Sequence, residues 1–146
     1  MKTFTNVDWA GSIDDRKSTS GRLFFLGKRL VSWTRKKQNH ISQSTIEEKY
    51  VVTIYNCSNI VWFNKLLTCM KMETKDPIVI FCDNTSAINI SKNLVMHTKT
   101  KHIAIKYHFL RELVQDKEVR LEYVNTNEQF IDIFTKPLTK DAFLYL

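Results

Sequence analysis

Glycine and proline are scarce in this chain, at three and two among 146 residues. Low-complexity tracts, internal repeats and flexible linkers are absent with them, so one compact domain spanning residues 1–146 is expected. No glycine-rich phosphate loop and no nucleophile elbow is present, which excludes the chemistries built on those turns. No apolar run approaches the roughly 20 residues that a membrane span requires. The opening Met1-Lys2-Thr3-Phe4-Thr5 lacks the apolar stretch of a signal peptide. A soluble, intracellular protein of the cytoplasm or nucleus, with no membrane partner, is expected.

Cysteine is also sparse. Cys57, Cys69 and Cys82 are odd in number and form no Cys-x-x-Cys pair, so reduced core thiols are expected rather than a metal knot or disulfide framework. His97, His102 and His108 lie near one another, but without zinc-ligand spacing and with no cysteine close by. Contact with nucleic acid through His102 or His108, or a place on a helix surface, fits them better. Acidic residues are outnumbered: 15 Asp+Glu face 22 Lys+Arg, a formal net charge of +7. That surplus favours a polyanionic partner, because cations that neutralise phosphates release condensed counterions.

The hydrophobic fraction is 43%, enough for a folded core. Gly21–Leu26 and Arg29–Thr34 are two short apolar-rich runs separated by Gly27-Lys28, a spacing that suits a hairpin turn. The segment from Phe4 to Trp9 is a candidate partner strand. Ser44 can cap a long helix from about Thr45 to Met70, with Val51, Ile54, Tyr55, Val61, Trp62, Leu66 and Cys69 on one face. Ile78–Cys82 is a continuous apolar run, as in a strand buried on both faces. A short helix over Thr85–Asn93 follows. A third helix carries Ile103, Tyr107, Leu110 and Val114 on one stripe. Val119–Val124 alternates like a strand. Thr126-Asn127-Glu128-Gln129 has capping-box spacing and opens a last helix closed by Pro137. The order implies an α/β fold, a mixed sheet covered by helices. Trp9, Trp33 and Trp62 are expected in the core.

Two acids stand where chemistry gathers. Asp83 directly follows the apolar strand and precedes a helix, at the carboxyl end where α/β sheets place ligands. It can hold a hard cation or simply cap the next helix. Asp132 lies within Phe130-Ile131-Asp132-Ile133-Phe134, and an acid among large apolar residues needs a metal or a lysine partner.

Several stretches, taken in order, carry a family resemblance. They begin with Asp8-Trp9-Ala10-Gly11 and Asp15-Arg16-Lys17-Ser18-Thr19-Ser20-Gly21, then Ser32-Trp33 and Lys36-Lys37-Gln38. Cys82-Asp83-Asn84-Thr85-Ser86-Ala87-Ile88 and Thr98-Lys99-Thr100-Lys101-His102-Ile103 continue the pattern. It runs on through Tyr107-His108-Phe109-Leu110-Arg111-Glu112, Leu121-Glu122-Tyr123-Val124 and Asp132-Ile133-Phe134-Thr135-Lys136-Pro137-Leu138. Together they resemble the ribonuclease H domain that follows reverse transcriptase in the Pol polyprotein of copia-type retrotransposons, in wording nearest to plant elements.

The resemblance implies a ribonuclease H-like fold, a five-stranded mixed sheet flanked by helices. It implies hydrolysis of the RNA strand of an RNA–DNA hybrid by two Mg²⁺ ions held on four carboxylates, beside a reverse transcriptase domain of the same polyprotein. The third and fourth acids match Asp83 and Asp132, the implied catalytic and metal-binding residues. The first should open an Asp-x-Asp-Trp-Ala-Gly signature, but Asn6 stands there and Asp8 matches the second position, which is not the ligand. The helix should read Glu-Ala-Glu-Tyr, and the chain has Glu47-Glu48-Lys49-Tyr50, with Lys49 in the place of the second Glu.

The quartet's charge falls from about −4 to about −1. Asn6 retains a carbonyl oxygen, and Lys49 repels a cation or takes its place. Glu48 as a substitute is set about 100° round the helix. Cleavage that is abolished or severely weakened is therefore expected; the alternative is a non-catalytic remnant that at most binds RNA–DNA hybrid or other nucleic acid. Arg16, Lys17, Arg35, Lys36, Lys37, Lys99 and Lys101 are the expected phosphate contacts.

Overall fold

The computed structural model describes residues 1–8, 11, 14, 16–38, 45–72, 76–92 and 101–146. Trp9, Ser44, His97 and Lys99 lie outside them, as do the side chains of Lys101, His102, Ile103 and Tyr107.

Three strands open the chain: β1 (Lys2–Asp8), β2 (Thr19–Leu26) and β3 (Arg29–Lys37). Both adjoining pairs are antiparallel. Gly27 takes φ +61° at the first position of the two-residue turn joining β2 to β3. Glycine reaches that left-handed region without the Cβ clash that other residues meet, which is why the hairpin turns there.

Helix α1 (Thr45–Cys69) then leads to β4 (Ile78–Cys82), α2 (Thr85–Lys92), α3 (Lys101–Gln115) and β5 (Val119–Tyr123). β4 pairs with β1 in parallel and β5 pairs with β4 in parallel, so the sheet order is β3-β2-β1-β4-β5. This is the expected five-stranded mixed sheet. Among the described residues no helix is long and apolar enough to cross a membrane.

Alternation along the strands sends successive side chains to opposite faces, and each face carries its own core. Phe24, Ile80, Ile78 and Leu121 pack under the helices with Ile54, Cys57 and Ile60 of α1 and Leu110 and Leu113 of α3. On the other face Phe4, Leu23 and Val124 pack with Ile131, flanked by Phe25, Phe81 and Phe134. Phe4 and Phe81 stack across β1 and β4 at 4.8 Å between ring centroids. β4 is fully buried on its helical face and partly buried on the other.

Three expectations need correction. The buried face of α1 carries Glu48, Val52, Thr53, Asn56, Cys57, Ile60 and Leu67, whereas Tyr55, Trp62, Leu66 and Cys69 are exposed. The helix is apolar around most of its circumference, so periodicity alone selects no face. Asn56 decides it, because its Nδ2 donates to Thr3 Oγ1 of β1 at 3.3 Å.

The last helix is broken. Asn125, not Thr126, caps a 3₁₀ turn over Thr126–Glu128, followed by α4 (Asp132–Thr135) and, beyond Pro137, α5 (Lys140–Tyr145). Trp33 and Trp62 are each 58% exposed rather than buried, and Trp33 stacks on Phe134 at 5.4 Å.

Candidate functional site

Asn6 is the fifth residue of β1 and is almost fully buried. Across the antiparallel ladder it faces Gly21, which in turn faces Arg35 of β3. Gly21 carries the geometry of this row. A Cβ there would lie 2.5 Å from Thr135 Cγ2 and 2.8 Å from Ile131 Cδ1, closer than packed atoms approach. The bare backbone lets α4 settle against β2, and that contact brings Asp132 to Asn6.

Asn6 Nδ2 donates to Asp132 Oδ1 at 2.7 Å, while Asn6 Oδ1 accepts from the Val7 N–H at 2.8 Å. Both ends of the amide are engaged, which leaves the carbonyl oxygen a single lone pair. The other carboxylate oxygen of Asp132 meets Lys136 Nζ at 2.6 Å, one helical turn later. Lys136 is the lysine partner that an acid among large apolar residues calls for. An aspartate at position 6 would set two carboxylate oxygens against each other at this distance, which only a proton or cation reconciles.

Asp83 follows β4 directly. The β1–β4 register pairs Phe4 with Phe81 and, continued two residues, sets Asn6 level with Asp83. Asp83 Oδ1 accepts from Lys49 Nζ at 2.7 Å, with both side chains largely removed from solvent. The helix-cap reading of Asp83 does not hold, since the Ile88 N–H of α2 bonds the carbonyl of Asn84. Just before this acid, burial pushes the Cys82 thiol up from its ordinary value, a shift that the Asn84 carbonyl contact only partly offsets. Cys57 is raised further by burial alone. Both thiols are therefore poor nucleophiles.

The four residues that replace or retain the expected acids thus form two closed pairs, Asn6–Asp132 and Lys49–Asp83. Each leaves a carboxylate satisfied by a donor from the protein. Glu48 is 2% exposed, while the ammonium beside it occupies Asp83. Asp8 ends β1 opposite Thr19. Among the described residues no three of His, Cys, Asp and Glu converge as a cation site. This donor set, one acid per pair with an amide or ammonium in contact, does not suit two divalent cations.

The basic residues divide. Arg35 and Lys37 alternate with Lys36 along β3, so Arg35 and Lys37 share the Gly21–Asn6 face and Lys36 points to the helical face. Arg16 and Lys17 stand just before β2, at the sheet end where Thr19 pairs with Lys37 and Asp8. Lys101 begins α3, and His108 is exposed farther along the same helix. Sequence reasoning missed Lys136, although its i,i+4 spacing from Asp132 was there to find. It also missed Arg22, hidden inside an apolar-rich run.

Comparison with known proteins follows this geometry. The chain is 38% identical over 143 residues to the retrovirus-related Pol polyprotein from transposon RE2 of Arabidopsis thaliana, covering 98% of the chain and 10% of the relative. Transposon RE1 of the same plant gives 39% identity with the same coverage. Transposon TNT 1-94 of Nicotiana tabacum gives 36%, covering 98% of the chain and 11% of the relative. The chain belongs to the retrovirus-related Pol family of transposons. As a Pol-family chain it spans about a tenth of the length of these relatives.

No family profile matches it. Among solved structures, the ribonuclease H1 of the halophilic archaeon Halobacterium salinarum superposes with a TM-score of 0.62 at 11% identity, covering 89% of each chain. LC11 ribonuclease H1, solved in complex with an RNA/DNA hybrid, gives 0.63 at 6% identity over 92% of each. The prototype foamy virus protease-reverse transcriptase gives 0.61 at 12% identity, covering 99% of this chain and 19% of that one. The fold of this Pol-family chain is ribonuclease H-like.

Proposed function

We propose that this chain is a ribonuclease H-class domain whose two-Mg²⁺ hydrolysis of RNA–DNA hybrid is abolished or severely weakened, and which retains hybrid binding. The reading rests on one observation. Asn6 and Lys49, at the positions of two expected carboxylates, are bonded to Asp132 and Asp83, the two acids that remain. Each remaining acid has a protein donor where a metal would need an open oxygen. A lysine ammonium on Asp83 also opposes the approach of a divalent ion.

Hybrid binding needs none of the four acids. Arg35 and Lys37 on the Asn6 face, with Arg16 and Lys17 at the same sheet end, are suited to phosphate contacts that ignore base sequence. Lys99 and Lys101 belong to the same proposal on sequence grounds. A reverse transcriptase segment of the parent polyprotein is the proposed neighbour, in keeping with the foamy virus protein whose chain includes a region of this fold.

The test is Mg²⁺-dependent cleavage of a labelled hybrid measured beside hybrid binding. Binding that weakens with salt, without cleavage, is the expected result. Cleavage at the rate of an intact enzyme, removed by Asp83→Asn, would overturn the proposal. Restored cleavage in an Asn6→Asp, Lys49→Glu double variant would locate the defect at these two positions.

A further inference from the structure

On the helical face of the sheet, α1 does not close over the β2–β3 edge. A cavity of about 420 Å³ remains between them. Arg22 and Lys36 line it, on adjacent strands and on the same face, since Arg22 pairs with Thr34 and Ser20 with Lys36. That diagonal arrangement keeps two long cations within reach of one another.

Among the described residues no acid lines the cavity and no carboxylate pairs with Arg22 or Lys36. Arg22 is half-buried, and burial pulls its guanidinium down from its ordinary value. Two neighbouring cations without a counter-charge are a repulsive arrangement that an anion relieves.

The rest of the wall suits a phosphate carrying an organic group. Gln38 Nε2 donates to Ser20 Oγ at 2.8 Å and fixes the rim. The Thr34 hydroxyl stands beside Arg22 in register. Val52 and the half-exposed ring of Tyr55, both on α1, give an apolar side opposite the charges. An Arg fork with a nearby hydroxyl is a geometry that recognises phosphate oxygens.

We propose that this cavity is a phosphate site, with Arg22 and Lys36 as its binding residues, taking the phosphate of a free nucleotide or of a nucleic-acid strand. It lies on the sheet face opposite the Asn6–Asp132 pair, and it does not depend on the proposed loss of cleavage or on hybrid binding.

Calorimetry on the full chain with inorganic phosphate, adenosine monophosphate and a short single-stranded oligonucleotide tests it. Arg22→Gln and Lys36→Gln should each weaken phosphate binding about tenfold or more, roughly 1.4 kcal/mol, while Lys28→Gln in the exposed hairpin turn leaves it unchanged. Binding of phosphate or the monophosphate alone assigns a free ligand. Binding of the oligonucleotide alone, with the same dependence on Arg22 and Lys36, assigns a strand phosphodiester. If none of the three binds saturably, or if both variants bind as the parent does, the proposal fails. Should Arg22→Gln not fold by thermal melting, Lys36→Gln, an exposed strand residue, decides the matter.

Discussion

At the β1–β4 end of the sheet each of the two acids has its own donor: Lys49 for Asp83, and Asn6 with Lys136 for Asp132. At the β2–β3 edge, Arg22 and Lys36 share one face, with no acid beside them among the described residues. The first region is paired and largely buried. The second is positive and open. Asn6 and Lys49 close the first region from within, and the proposed phosphate site lies where the described residues leave positive charge uncompensated.

The strongest way to break this contrast is to reopen the closed end. Asn6→Asp with Lys49→Glu should cost about 3–5 kcal/mol of stability without divalent ions, since buried charges lose their partners. Millimolar Mg²⁺ should recover part of the loss. Urea unfolding with and without Mg²⁺ checks this, and an unchanged midpoint would show that the pairs carry no stability.

Next in size is Gly21→Ala. A methyl group pressed against Thr135 and Ile131 should cost about 1–3 kcal/mol by overpacking and loosen Asp132 from Asn6. Thermal denaturation reads the cost, and NMR of the Asn6 side-chain amide reads the loosening.

At the open edge the effects should be smaller and of the other sign. Arg22→Leu should hold or raise stability within about 1 kcal/mol, because it removes a half-buried cation that no described carboxylate compensates. Lys36→Gln should stay within about 0.5 kcal/mol. A large loss in either would mean that the edge is as tightly balanced as the centre.

Much of this is legible in the sequence, and for local reasons. Gly27-Lys28 marks its hairpin because only the first position needs left-handed backbone. Asp83 is found at its strand end because five apolar residues run straight into it. The identity of the pairs was not legible. That Asn6 meets Asp132 depends on α4 crossing β2 above a glycine, a tertiary fact with no sequence period. The face of α1 was misjudged because Tyr55, Trp62 and Leu66 look like core, while Glu48, Thr53 and Asn56 look like surface. The basic run at 35–37 looks continuous on paper, yet strand alternation divides it between two faces. Arg22 went unnoticed among apolar neighbours, although an arginine facing a helix is the more informative residue there.

The Asn6–Asp132 bond joins residues 126 positions apart. Closing so wide a loop is entropically costly and gives no return until both ends are in place. β1 and β2 can pair early as a local hairpin arm, but their polar row waits for Asp132, made 126 residues after Asn6. In time as well as in space, this junction comes late. A chain stopped short of α4 would leave the Asn6 amide without its acceptor, and slow exchange of that side-chain amide would appear only once Asp132 had been made.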